Sequence, residues 1–469
     1  MSKTDKRTRI KIENKKTGVS LMRITIPFFL ILTFIFLNTF PAQAVTPNSS
    51  QQNPGSYLLS NTFAPSAFLS NLGYSGSATS AGHHEPSLHV GGAVRYNLLL
   101  TNYESGTDAT DGQFTFDTWR INVVYDNPGG IGLNFEYRFY PTFGTHFIKQ
   151  GWLDYSLTDR TEVQLGVTQV PFGNLQYNSN SWWFSLAYYV GLEDDHDMGI
   201  KFTHTTDNFQ LDLAYFYQPE PEGPPAQFGV GGAGRYSYDV IPGDNASLSE
   251  RNQFNIRGAY LMDNGEFGAS LQYGQLYNSA LDQFDSRFAA AVHGSFSFGN
   301  FTVMPQFLYY SMDAVDDGGR DLSTVFMGAY GIPYEVSTEA WMATLGLSYS
   351  MDVDIGPVTN LTFYNDFSYM ENQVGEGSTW RATGAGLTLD DNFESTIQNI
   401  TGFLISAGPV FTYVDIAQGI NQPWLTDQFG VGVGPGHEDL RDDPDYIEAG
   451  GAGDSEYNIR LNINIGFYF

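Results

Sequence analysis

From residue 88 onward, apolar and polar residues alternate with a period of two, as they do along strands whose successive side chains point to opposite faces. At the C-terminus Tyr457, Ile459, Leu461, Ile463, Ile465, Phe467 and Phe469 interleave with Asn458, Arg460, Asn462 and Asn464. Leu133, Phe135, Tyr137 and Phe139 alternate with Asn134, Glu136 and Arg138, and Val163, Leu165 and Val167 with Glu162, Gln164 and Thr168. The same pattern runs through Phe209, Leu211, Leu213, Tyr215 and Tyr217, and through Trp341, Ala343, Leu345, Leu347 and Tyr349. Many such runs extend over roughly 9 to 13 residues. Soluble strands average ~5 to 6, whereas this length suits tilted membrane strands.

The connections sharpen the reading. Tight turns occur at Asn127-Pro128-Gly129-Gly130, Thr158-Asp159-Arg160-Thr161, Thr206-Asp207-Asn208, Met262-Asp263-Asn264-Gly265, Gly299-Asn300, 352–357 and Ala407-Gly408-Pro409. They alternate with longer segments at 103–112, 141–147, 171–197, 219–251, 278–283, 313–338, 371–393 and 418–455. Seven turns and eight loops join 16 strands. The expected fold is therefore all-β: a transmembrane antiparallel up-and-down barrel with short periplasmic turns and long extracellular loops. Closure pairs every backbone group without a helix, as lipid demands. An interior of this width is expected to hold water and so to form a channel. Phe139, Tyr140, Tyr217, Tyr309, Tyr349, Tyr369 and Phe469, near strand ends, are expected to form the two interfacial girdles.

The N-terminal region reads differently. A basic stretch ending at Arg23 precedes an apolar run over 24–40 and the small-x-small pattern Ala42-Gln43-Ala44. These features predict a signal peptide, 1–44, cleaved before Val45. The run is interrupted by Pro27, Thr33 and Asn38, and is too short for a membrane anchor. Residues 45–87 are expected to be a flexible periplasmic segment, and 88–469 the barrel. Gram-negative export to the outer membrane follows.

Composition narrows the function. The 22 Lys+Arg against 51 Asp+Glu exclude nucleic acid as an expected partner. Without any Cys there is no thiolate catalysis, Cys-based zinc site or disulfide. No G-x-S-x-G elbow accompanies the histidines, so no catalytic residue, metal site or cofactor is assigned and the chain is not expected to be an enzyme. His83, His84 and His89, the acids Asp313, Asp316, Asp317 and Asp321, and the run 438–445 read as solvated loop surface rather than metal sites.

Strand phase places Glu136, Arg138, Asp154, Glu162, Lys201, Asp212, Arg257, Asp366 and Arg460 inward, as pore-lining residues of mixed sign. The third long segment, 171–197, carries Trp182, Trp183, Phe184, Tyr188 and Tyr189, then Glu193, Asp194, Asp195 and Asp197. It is expected to fold into the barrel as a constriction loop, with aromatics on the wall and carboxylates toward water, giving a weak cation preference. Lying outside over the mouth is its alternative placement.

The terminal Gly466-Phe467-Tyr468-Phe469 resembles the C-terminal assembly signal of bacterial outer-membrane barrels, with Phe467 and Phe469 as the residues read. Gly151-Trp152-Leu153-Asp154-Tyr155, Leu165-Gly166-Val167-Thr168-Gln169-Val170-Pro171-Phe172-Gly173 and Ala407-Gly408-Pro409-Val410-Phe411-Thr412-Tyr413-Val414-Asp415 resemble segments of the phosphate-selective porin O and P type family. This resemblance implies an outer-membrane porin for small hydrophilic solutes, with outer-membrane lipid, lipopolysaccharide, the barrel assembly machinery and two further copies in a homotrimer as its expected partners. The basic ladders of phosphate-selective members are not matched: 14 basic residues remain beyond residue 44. Two alternatives stay open, an anion- or phosphate-selective porin and a surface-interaction barrel, adhesin or receptor, with a blocked lumen.

Overall fold

The computed structural model describes residues 85–101, 113–224, 233–243, 245–373, 395–420, 422 and 458–469. The cleavage site at Ala44, His83, His84 and the acidic run 438–445 lie outside the described residues.

The strands, in chain order, are β1 (Ser87–Thr101), β2 (Gln113–Asp126), β3 (Gly132–Tyr140), β4 (Thr145–Thr158), β5 (Thr161–Gln169), β6 (His196–Thr205), β7 (Phe209–Pro219), β8 (Asp239–Val240), β9 (Leu248–Met262), β10 (Gly265–Asn278), β11 (Gln283–Phe298), β12 (Phe301–Met312), β13 (Thr324–Ala329), β14 (Ile332–Ser337), β15 (Glu339–Ile355), β16 (Val358–Asn372), β17 (Thr396–Ala407), β18 (Val410–Ile420) and β19 (Asn458–Tyr468). All but β8, β13 and β14 close into one 16-stranded barrel, each strand antiparallel to its neighbours. The other three form a small separate sheet. At one rim the joins are tight. Gly299 and Gly408 turn there with φ of 63° and 60°, a left-handed conformation that glycine adopts without steric cost. The opposite rim carries the long connections.

Closure rests on Phe469. The Gly92 N–H donates to the Phe469 carbonyl at 2.9 Å, and the Phe469 N–H returns to Gly92 at 3.0 Å. A Cβ on Gly92 would stand 2.3 Å from the Arg120 carbonyl oxygen, so the seam requires glycine.

Leu165, Tyr217, Phe254, Phe267, Leu271 and Phe307 remain exposed on one face of the sheet. A belt of this kind suits hydrocarbon and would be a liability in water. Of the seven aromatics expected at the girdles, Tyr140 is the exception: it is buried, next to the intermediate Phe139. Adjacent residues of a strand face opposite ways, so only one of the pair meets lipid. Phe139 stacks on Trp119 with centroids 3.8 Å apart, whereas Tyr140 packs inside on Phe147 and Tyr330.

The interior also departs from a water-filled tube. Toward the long-loop rim, inward residues turn apolar: Phe216, Leu276, Leu308, Tyr310, Met342 and Met370 are buried. They join one hydrophobic cluster with Leu186, Tyr188, Tyr189, Tyr238, Val325, Met327 and Tyr334 from the connecting segments. The inserted chain thus fills much of that half. Each such side chain contributes about 1.5–3 kcal/mol relative to exposure, a gain obtained where the alternative is an aqueous lumen.

Candidate functional site

The segment 170–195 follows β5 and runs across the barrel interior. The φ of 64° at Gly173 turns its start inward, and a Cβ there would lie 2.2 Å from Gln306 Oε1. Arg257 Nε of β9 donates to the Gly173 carbonyl at 2.8 Å, Ser270 of β10 accepts its N–H at 3.0 Å, and Gln306 of β12 accepts the Asn174 N–H at 2.9 Å. Farther along, the Asp366 carboxylate of β16 accepts the N–H of Asn180 at 2.9 Å and of Ser181 at 2.6 Å. Trp183 Nε1 donates to Asp415 of β18 at 3.0 Å, and Arg460 of β19 stacks over the Trp183 ring at 4.5 Å. The loop is tied to both sides of the barrel by inward polar side chains.

Several residues assigned to the pore lining therefore have a different task. Asp366, Arg257 and Arg460 are buried and hold loop groups, so they do not present free charge to water. Arg257 is also paired with Glu266 and lies 3.6 Å from Asp212, whose oxygens accept Thr203 at 2.7 Å and Gln210 at 2.9 Å. Lys201 donates to the Gln169 carbonyl at 3.0 Å, and Glu162 accepts from Gln164 at 2.8 Å. Asp154 is half-buried near the tight-turn rim.

The loop carboxylates are likewise enclosed rather than turned to water. Glu193, Asp194, Asp195 and Asp197 are all buried. Glu193 accepts the N–H groups of Asn178 and Ser185, both at 2.9 Å, and the Ser179 hydroxyl. Burial nevertheless pushes its pKa up to about 7, those hydrogen bonds pulling the other way. Asp194 sits 3.3 Å from Lys149 Nζ and accepts the Tyr236 hydroxyl at 2.6 Å. Its pKa is also raised by burial, with Lys149 opposing. Desolvation costs exceed what these contacts return. The cation preference expected from four solvated loop charges loses its basis.

What remains beside the loop is a charged wall on adjacent strands. Arg95 of β1, Arg120 of β2, Arg138 of β3 and Lys149 of β4 face inward, with Asp117 and Glu136 between them. Arg95 lies 2.7 Å from Asp117, Arg120 lies 3.2 Å from Glu136, and Arg138 pairs with the same Glu136, which also accepts Asn122 at 2.6 Å. Arg120 and Arg95 keep the most solvent contact among these cations, 14% and 11% of their side chains. Arg95 also faces the Trp182 ring at 5.7 Å.

Sequence phase identifies Glu136 and Arg138 but misses Arg95, Arg120, Asp117 and Lys149. Bulges explain two of these misses. Counted back from the lipid-facing Leu153, strict alternation sends Lys149 outward. The ladder instead pairs Glu136 with Gln150 and Tyr137 with Ile148, skipping Lys149 and turning it inside. In β2 the pairing skips Asp117, so the outward phase jumps from Phe116 to Trp119 and Arg120 falls inward. That jump is the signal available in the sequence. Arg95 is masked by the unbroken Leu98-Leu99-Leu100 run.

Of the acids in the 313–321 segment, Asp316 accepts the Gly318 and Arg320 N–H groups at 2.9 and 2.8 Å, and Asp317 accepts the Ser247 N–H at 2.7 Å. Those contacts shape a surface turn.

No family model and no curated protein matches this chain. Solved structures do. The outer membrane channel DcaP of Acinetobacter baumannii has a TM-score of 0.52 and 11% identity, covering 83% of this chain and 99% of its own. An anion-selective porin from Comamonas acidovorans has a TM-score of 0.51 and 13% identity, covering 82% of this chain and all of its own. At such identities the likeness is one of fold: this chain is built as an outer-membrane porin barrel is.

Proposed function

We propose that this chain is an outer-membrane porin that passes small hydrophilic solutes and ions passively along the charged wall of β1 to β4. The observation that carries this reading is the placement of Arg95, Arg120, Arg138 and Lys149 on one face beside an inserted loop, inside a barrel whose exterior suits lipid. Arg95, Arg120 and Arg138 against Asp117 and Glu136 leave that wall with one positive charge in excess, while Lys149 beside it is paired with Asp194. The preference that follows is for anions, which also fits the named selectivity of the Comamonas neighbour. A homotrimer in contact with lipid and lipopolysaccharide, inserted by assembly machinery that reads Phe467 and Phe469, completes the proposal. Phe469 supports it by leaving its ring exposed while its backbone closes the seam.

The dry packing of the inserted segments favours a second reading, a barrel with a blocked lumen that acts through its outer surface. Planar-bilayer recording separates the two. Stepwise openings with an anion-side reversal potential in a salt gradient are expected for the porin, and a silent bilayer for the blocked barrel.

A further inference from the structure

A second group of charges lies where the end of the inserted loop meets Glu220 and residues 235–240. Asp195 at the loop's end, Asp197 of β6 and Asp239 of β8 each offer a carboxylate oxygen, all within 4.8 Å of one another. The three residues are buried, at 3%, 2% and 1% exposure. Neither oxygen of Asp195 has a hydrogen-bond partner, and Oδ1 of Asp197 and of Asp239 also lack one. The remaining oxygens are used: Asp197 Oδ2 accepts Gln253 at 3.1 Å, and Asp239 Oδ2 accepts Arg235 at 3.0 Å.

Glu220 supplies an independent observation. It is 2% exposed, and its Oε1 accepts the Tyr236 and Ser237 N–H groups at 3.1 and 2.8 Å, while Oε2 has no partner. Its carboxylate lies close enough to Asp239 and Asp195 to feel their charges. The nearby cations are Arg235, on Asp239, and Arg287, paired with Glu250. Five buried carboxylates, those of Asp195, Asp197, Glu220, Asp239 and Glu250, thus face two guanidinium groups. Were all five ionised, three negative charges would stand without a neutralising side chain in the cluster, a costly state that a bound cation relieves.

The geometry points to a divalent-cation site for Ca²⁺ formed by Asp195, Asp197 and Asp239, with Glu220 at its edge, joining the inserted loop to β6 and β8. The donors are all hard oxygens, which select Ca²⁺ or Mg²⁺ over softer metals. Ca²⁺ binds oxygens at about 2.3–2.6 Å, so ligands of one ion stand at most roughly 4.6–5.2 Å apart, and the three carboxylates fall within that limit. Three carboxylates from two chain segments, 195–197 and 239, do not by themselves build the octahedron Mg²⁺ demands, and Ca²⁺ tolerates irregular shells. Bound there, the ion would fasten the loop's return to the wall whether or not the lumen conducts.

The test uses full-length protein refolded in detergent, stripped with EDTA and desalted. Titration with CaCl₂ near neutral pH is expected to leave one tightly held Ca²⁺ per chain by metal analysis. It should also raise Tm more than an equal concentration of MgCl₂ does. Asp195→Asn should weaken Ca²⁺ binding by about tenfold or more, since affinity follows ligand charge. Asp239→Asn provides a second variant should the first fail to fold, and Asp321→Asn, outside the cluster, should bind as wild type does. Wild-type protein that retains no Ca²⁺ and shows no Ca²⁺-dependent Tm overturns the inference. So does folded Asp195→Asn or Asp239→Asn protein that binds Ca²⁺ as tightly as wild type does.

Discussion

The two sides of the barrel interior solve opposite problems with the same strand pattern. On β1 to β4 the inward positions Arg95, Arg120, Glu136 and Arg138 are charged, with Arg95 and Arg120 keeping some contact with solvent. On β10, β12, β15 and β16 the inward positions toward the long-loop rim include Leu276, Leu308, Met342 and Met370, apolar and fully buried. Both sets sit behind the same lipid-facing belt. The difference shows that a barrel's inner face need not be polar: it is polar where water stays and apolar where the chain folds back on it. The inserted loop, clipped by Asp366 and Arg257, marks the boundary between the two.

Breaking the clip should have the largest effect. Asp366→Ala leaves the buried N–H groups of Asn180 and Ser181 without an acceptor, at about 1–3 kcal/mol each. The loop should leave its seat, raising single-channel conductance several-fold and exposing residues 174–190 to protease. Next comes the dry side. Leu308→Ala should cost about 2–5 kcal/mol of loop packing through cavity formation. Thermal unfolding should then show a low-temperature transition of the inserted segments ahead of the barrel. On the wet side, Arg120→Gln should shift the reversal potential toward cations, most clearly at low salt, where screening is weakest. An unchanged potential would mean that the path avoids this wall.

A smaller effect is expected from pH. Glu193 is held at about 7 when folded, above the ordinary carboxylate value of about 4.3. The folded loop therefore keeps a proton that the released loop gives up, and its stability falls as pH rises from about 4 to 7. Glu193→Gln should flatten that dependence, read as conductance noise or protease protection across the same range. Phe469→Ala should disturb the finished barrel least, because its seam bonds are backbone bonds. Inserted yield in cells is expected to drop while detergent-refolded protein conducts as before.

Strand number, turn positions and the alternation of rims were legible in the sequence because period two and Gly-rich turns are local signals. The inward placement of Glu136 and Arg138 follows from the same counting. Lys149 and Arg120 were hidden because a bulge resets the count, and a bulge is set by pairing with a neighbouring strand. Leu308 and Met342 gave no warning either. An apolar residue on the inner face looks like noise in the alternation until a distant loop is known to cover it. The solvated role expected of Glu193 and Asp194 failed for a related reason: a run of acids reads as surface unless its burial partners, here Ser185, Lys149 and Tyr236, are brought from elsewhere.

The seam between Gly92 and Phe469 imposes an order in time. Near it, Asn464 donates to Asn97 across 367 positions of sequence. The first strand must wait with an open edge until the last has been delivered, and an open edge is intolerable in hydrocarbon. A chain cut short anywhere before β19 has no smaller circle to fall back on. Delivery of β19 is thereby made a precondition for entering the bilayer, a checkpoint enforced at the seam itself.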